Sequence, residues 1–315
     1  MAVSTTFTSA EALQDYVWDN RLPLFTKAFY GFETEPHTTV FEGVKGKLPL
    51  TEMTVGTLVK RHATAFNPTA GTIDFVPRVL ETVLAKVDMA FAPQDFESSY
   101  LGVARRLGQA LDDLPFEAYI LDKVLGKVRQ EIETGVWQAA VPGSTAATDP
   151  ITLLFDGYLE IIKDEITATN ITPVPVSGGA LSTSNIIDHL EEMWDALGDA
   201  YKMGEVDIYL SWANYKLYNR AYREAYGKYA DAAQNGRTKL DFGANAYLTP
   251  LPGLSGKDRI IMTPRGNLAY GLDSAQDYTM DIVQDHREIH MMMDFRIGTQ
   301  IQSIDSDLLI VNDLT

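Results

Sequence analysis

Between Thr38 and Pro93 the chain reads as a long β-hairpin with little core of its own, and this limits what the rest of the molecule can be. Thr39-Val40-Phe41-Glu42-Gly43-Val44 alternates as a strand does, then runs into the turn-rich patch Lys45-Gly46-Lys47-Leu48-Pro49. Thr72-Ile73-Asp74-Phe75-Val76-Pro77 alternates again and leads into Val79 to Phe91, where Val83, Lys86, Val87 and Met89 mix helical with strand spacing. The expectation is two long strands around a central loop. A two-stranded ribbon is marginal by itself in water, so something must cover this one.

The flanking text supplies candidates. The first 37 residues hold one short helical pattern, Glu11 to Asp19, and then a polar stretch with Pro23 and Pro36. That segment reads as an arm whose partners lie elsewhere. Beyond the hairpin comes the clearest helix. Asp113 can cap it, Pro115 sits near its first turn, and Glu117 adds early negative charge. Leu121, Val124, Leu125, Val128, Ile132 and Val136 then form one apolar stripe, ending near Trp137. Lys123, Lys127, Arg129, Glu131 and Glu133 fall on the opposite, polar face.

A second helix start at Asp149-Pro150 is backed by Leu154, Tyr158, Ile161, Ile162 and Ile166, with Pro173 and Pro175 as stops and Gly178-Gly179 in the following loop. A third helix starts at Thr183 or Ser184 and carries Ile187, Leu190, Trp194 and Leu197. Val206 to Ser211 reads as a strand, followed by a Tyr-rich helix from Ala213 to Tyr229. The text then returns to β. Ile260-Ile261-Met262 and Leu268-Ala269-Tyr270 flank the turn Thr263-Pro264-Arg265-Gly266-Asn267. Tyr278 to Phe295 is one long alternating pattern, and Leu308 to Val311 is a short apolar strand. Strands alternate with helices in the middle of the chain only, which points to α/β or α+β.

Composition narrows the function classes. Hydrophobic residues at 45% and charged residues at 22% belong to a folded chain with a sizeable core. With 43 acidic against 26 basic residues the net charge is −17, which repels phosphate backbones and argues against a general nucleic-acid binder. Two readings of that charge stay open: solubility, or a container that must not stick to nucleic acid inside it. The absence of cysteine removes disulfides, thiolate metal sites and cysteine nucleophiles together. No secretory signal opens the sequence, and no apolar run approaches the roughly 20 residues that span a bilayer.

Each constellation that could carry chemistry has a plainer reading. His286, Glu288 and His290 form H-x-E-x-H, which on one strand would place all three on one face, but the zinc-protease order H-E-x-x-H is missing. Gly102, Gly108 and Gly178-Gly179 build no phosphate-binding loop. The carboxylate pairs Asp112-Asp113 and Glu191-Glu192 sit where helix caps and solvated faces are expected. Trp212, Tyr215, Tyr218, Tyr222, Tyr226 and Tyr229 recur at helical spacing, as either a core stripe or an interface stripe. No catalytic residue, cofactor site or metal site is therefore assigned.

The order of these pieces resembles the Hong Kong 97-type major capsid protein of tailed bacteriophages, a fold shared with encapsulins. Leu48-Pro49 through Phe66-Asn67-Pro68 is similar to the extended-loop region of capsid proteins from Bacteroidetes-infecting phages. Phe155-Asp156-Gly157 resembles the start of the family's axial domain, and Ile208-Tyr209-Leu210-Ser211 a recurrent capsid segment. Thr263 to Gly271 resembles the family's TP-x-GNL-x-YG turn, with Phe295-Arg296-Ile297-Gly298-Thr299-Gln300 leading to the last strand.

The resemblance implies an α+β fold in five parts: an N-terminal arm (1–37), an extended loop (38–95), a peripheral domain with a spine helix (96–149), an axial domain (150–275) and return strands of the peripheral domain (276–315). It implies a non-enzymatic shell subunit, assembled in a bacterial cytoplasm into the hexamers and pentamers of a virion. Double-stranded DNA would be enclosed without sequence-specific binding, and no membrane would be involved. With so little chain before the hairpin, scaffolding is expected from a separate protein, beside portal and decoration proteins. Lys45, Lys47 and Lys60 lie where some relatives cross-link a Lys to an Asn, but nothing identifies the partner Asn or the catalytic Glu. An encapsulin-type nanocompartment shell is the alternative.

Overall fold

The computed structural model describes residues 10–55, 73–92, 116–143, 149–227, 237–243, 245–274, 279–286 and 288–315, with single positions at 59, 61, 62, 64, 146, 233 and 234. Its main core forms along the helix with the long apolar stripe. That helix runs over Phe116–Gln138, and Leu121, Leu125, Val128, Ile132 and Val136 are all buried. The proposed cap at Asp113 and Pro115 lies outside the described residues.

Two helices precede the hairpin, α1 (Ala10–Asp19) and α2 (Arg21–Phe29); the long helix is α3. Reading this segment as a polar arm is corrected by its packing. Leu13, Val17, Leu24, Phe25, Ala28, Phe29 and Phe32 are buried in the same core as α3. Pro23, placed by its text in a polar stretch, sits in the first turn of α2, where a missing N–H costs nothing.

A five-stranded sheet packs against this core. Its order is β1 (Thr39–Phe41), β10 (Leu268–Leu272), β12 (Glu288–Ile301) and β11 (Thr279–Asp285), with β4 (Val83–Phe91) pairing β12 as well. The expected single strand from Tyr278 to Phe295 is thus a hairpin. Ile289, Met291, Met293, Phe295 and Ile297 of β12 point into the core while Glu288, Met292 and Asp294 face out.

The second sheet has six strands in the order β13 (Ile310–Val311), β9 (Ile261–Pro264), β5 (Val206–Leu210), β8 (Ala246–Pro250), β7 (Arg237–Lys239) and β6 (Ala233–Gln234). Every residue of β5 is buried, which is why its text lacks alternation. Helices α5 (Ile186–Ala196) and α6 (Trp212–Tyr226) bury Leu190, Met193, Trp194 and Tyr218 in a separate core with β5, β8 and β9. Two expectations change here. The turn Thr263–Asn267 does not close a hairpin, because β9 and β10 belong to different sheets, and Gly266 (φ +86) takes the left-handed conformation that the exchange requires. The last strand, β13, pairs β9 rather than returning to the sheet that holds β11 and β12.

Between the sheets the chain makes a short 3-10 turn at Ile151–Leu153 where a helix start was expected, and α4 (Tyr158–Thr167) begins only after Gly157. The hairpin is a separate two-stranded ribbon, β2 (Lys47–Val55) with β3 (Ile73–Glu81). Its first strand occupies the patch read as turn-rich, and the text after Glu81 belongs to β4.

Candidate functional site

The ribbon's base is fixed by one side chain. Arg78 donates from Nε to the Ile301 carbonyl at 2.7 Å, from Nη1 to Glu165 Oε1 at 2.9 Å and from Nη2 to Gln300 Oε1 at 2.9 Å. Arg78 and Glu165 side chains are only 9% and 17% exposed, so this fork works in a low-dielectric setting. Asn170 Nδ2 satisfies the other Glu165 oxygen at 2.7 Å, and Gln300 Nε2 donates to the Val79 carbonyl at 2.9 Å. Where the ribbon leaves the sheet, the Glu81–Thr82 backbone lies directly on Gly298, and a Cβ there would run into the Glu81 carbonyl. Only glycine permits that approach.

The ribbon's two faces differ. Thr82 N donates to the Gly46 carbonyl at 2.8 Å, and the register Lys47↔Glu81 to Val55↔Ile73 continues from there. Antiparallel pairs alternate between hydrogen-bonded and non-bonded, so the odd-numbered pairs turn their backbone groups to the two outer edges. Pro49 and Pro77 both occupy such positions. Side chains on the odd face are in solvent: Lys47, Pro49, Thr51, Phe75, Pro77, Val79 and Glu81 are exposed, Phe75 at 63% and Val79 at 42%. On the even face Leu80 is fully buried and Arg78 reaches the body.

A strap from Thr34 to Thr39 ties the two sheets together. Thr34 donates to Glu133 from its backbone N at 3.1 Å and its hydroxyl at 2.7 Å, and accepts from Trp137 Nε1 at 2.7 Å. Gly253 N also donates to Glu133, at 3.2 Å. Glu133 therefore leaves the polar face assigned to it and is buried. Burial raises its pKa above the ordinary glutamate value, and the three donated hydrogen bonds oppose that rise. Further along, His37 Nδ1 bonds Asp207 Oδ2 at 2.7 Å, Arg265 Nη2 donates to the Pro36 carbonyl at 2.8 Å, and Thr39 donates to the Gly266 carbonyl at 2.7 Å.

The residues singled out from sequence do not converge. His286 lies in the β11–β12 turn with φ +55 and bonds Asp285, while His290 lies on β12 with Glu288 at 3.8 Å. The turn takes His286 off the shared face. Among the described residues no group of His, Asp and Glu could hold a metal ion. Glu191 and Glu192 are exposed on α5, and Gly178 and Gly179 form a turn with positive φ. Gly102, Gly108, Asp112, Asp113, Lys60 and Tyr229 lie outside the described residues. The aromatic series divides: Tyr218 is buried in the core, Tyr215 and Tyr222 pack against it, and Trp212 and Tyr226 are exposed at the helix ends. Arg78 and Glu133 were not singled out. A lone arginine between Val76-Pro77 and Val79-Leu80 was the available signal for the first.

No protein-family model and no curated protein matches the sequence. Solved structures do match. A chain of the satellite phage P4 procapsid with its size determination (Sid) protein aligns at TM-score 0.53 and 12% identity, covering 99% of this chain and 93% of that one. The virus-like particle of Pyrococcus furiosus aligns at 0.52 and 12% identity, over 95% of this chain and all (100%) of that one. The capsid of an empty GTA particle aligns at 0.54 and 12% identity, over 91% and 89%. The fold is of the Hong Kong 97 capsid type.

Proposed function

We propose that the chain is a structural subunit of an icosahedral shell, the major capsid protein of the DNA-containing head of a tailed bacteriophage. The observation that carries this is near-complete, two-way coverage by subunits of assembled particles, and it accounts for a ribbon whose Phe75 and Val79 no described residue of the chain buries. In that role the work is done by non-covalent contact area between copies in hexamers and pentamers, since no cysteine can bridge them. The subunit is non-enzymatic. Its net charge of −17 suits a wall that encloses DNA without binding it in a sequence-specific way. Portal and decoration proteins would be separate chains, and capsid proteins of Bacteroidetes-infecting phages are proposed as relatives. No helix among the described residues is long and apolar enough to cross a membrane.

A nanocompartment shell of the encapsulin type is the second reading, favoured by the full-length likeness to the Pyrococcus furiosus particle. Electron cryomicroscopy of native particles separates the two. DNA inside and a tail vertex are expected for the first reading, and protein cargo in a small, tailless shell would establish the second.

A further inference from the structure

Two helices of the second core carry charge that the fold does not use. On α5 the exposed side chains include Asp188, Glu191, Glu192 and Asp195, and the helix holds no Lys or Arg. On α6 the exposed charges are Lys216, Arg220 and Arg223, with one carboxylate, Glu224. In a chain of net charge −17 this is a local reversal of sign. Among the described residues Asp188, Glu191, Asp195, Lys216 and Arg220 have no side-chain partner. The two helices pack side by side, yet no ion pair joins them among the described residues.

Both stripes cost stability where they stand. Like charges three or four positions apart repel along a helix, as Asp188 does with Glu191, Glu191 with Asp195, and Lys216 with Arg220. Asp195 also sits in the last turn of α5, where the helix dipole disfavours negative charge and no basic residue offsets it. Solubility asks for charge, but not for one sign on one helix and the other sign on the next.

Their spacing is complementary. Asp188, Glu191 and Asp195 are separated by three and then four residues, and Lys216, Arg220 and Arg223 by four and then three. Each set falls on one helix face and spans about 10 Å along the axis. Laid antiparallel, the two match charge for charge: Asp188 with Arg223, Glu191 with Arg220, and Asp195 with Lys216. The helix dipoles then oppose as well.

We infer that the acidic face of α5 docks antiparallel on the basic face of α6 of a second copy of this chain. The second copy is the occupant because this sequence itself carries both halves of the match. Such a contact joins unlike faces, so each copy offers one face to either side and the repeat can close into a ring. The inference rests on the shell reading, whose hexamers and pentamers are rings, and adds to it the faces and the pairing.

The test uses the full chain and follows assembly by sedimentation. Asp188→Lys, Glu191→Lys and Asp195→Lys together raise the concentration at which particles form by roughly tenfold or more, and so do Lys216→Glu, Arg220→Glu and Arg223→Glu together. All six substitutions in one chain restore it to within about threefold of the wild type. In wild-type particles built from mixed light and heavy isotope-labelled chain, a zero-length carbodiimide links Asp195 to Lys216 of another copy, read by mass spectrometry. This arm needs no substitution and decides the matter where a variant misfolds. Wild-type assembly by either triple variant, failure of the six-substitution chain with a wild-type circular-dichroism melt, or absence of the Asp195–Lys216 link overturns the contact and leaves the shell reading standing. Retention of duplex DNA that the α6 variant loses, with assembly unchanged, assigns the basic face to nucleic acid instead. A wild type that forms no particles overturns both.

Discussion

Arg78 serves three acceptors from a nearly buried position, so its removal strands the Glu165 carboxylate. Arg78→Met is expected to cost about 3–5 kcal/mol in denaturant unfolding, and Arg78→Lys to recover less than half of that, since an ammonium cannot reproduce the planar fork. Equal stability of the Lys variant and the wild type would show that charge alone anchors the ribbon. His189 presents a different case. It is buried on α5, and among the described residues neither ring nitrogen has a partner within hydrogen-bond distance, the Glu192 carboxylate standing 3.8 Å from Nδ1. Burial lowers its pKa, against the pull of Glu192 and Asp313. A lowered folded-state pKa means that the unfolded chain takes up the proton first. Stability is therefore full above the ordinary histidine value of about 6.5 and falls as pH drops below it. His189→Leu is expected to flatten that acid limb in melts recorded from neutral to mildly acidic pH. An unchanged limb would place the acid sensitivity elsewhere. Neither role was legible in the sequence, because each depends on neighbours more than a hundred positions away, such as Gln300 for Arg78 and Asp313 for His189.

Gln14 on α1 shows how one element protects another. Its Oε1 accepts from Ile282 N at 2.7 Å and its Nε2 donates to the Met280 carbonyl at 3.5 Å, so the side-chain amide stands in for a neighbouring strand along the edge of β11. Gln14→Ala should cost about 0.5–1.5 kcal/mol and speed amide exchange selectively at Ile282. Uniform exchange rates along β11 would mean that the bond does not protect the edge. Reading these elements from sequence succeeded where one face is buried. The stripe of α3 and the Tyr-rich α6 sit close to their expected places, while the Ile-rich α4 starts later than expected, after Gly157. It failed at prolines. Pro23 read as part of a polar stretch and Pro49 as part of a turn-rich patch, yet the first turn of a helix and the outward edge of a ribbon tolerate a missing N–H. It also failed for β9, β10 and β13, whose sheet membership is a matter of partners that local alternation does not encode.

Across the whole molecule, the five-stranded sheet packs into the core along α3, the six-stranded sheet shares that core and also has one of its own with α5 and α6, and the strap at Thr34–Thr39 ties the two sheets, while Phe75 and Val79 of the ribbon are exposed among the described residues. The overall order of arm, hairpin, long helix, mixed middle and late strands was enough to suggest the capsid fold before any coordinates. The arm proved to be packed helices, and the exposure of Phe75 and Val79 on one face of the ribbon was not legible, since it follows from register. Under the proposed function the chain would do its work through contact area between copies, so the central test is its state of association. Purified chain is examined by sedimentation and electron microscopy at increasing concentration, with and without a co-expressed scaffolding protein. The expected result is hexamers, pentamers and closed particles of megadalton size. A chain that stays strictly monomeric under all these conditions would contradict the account.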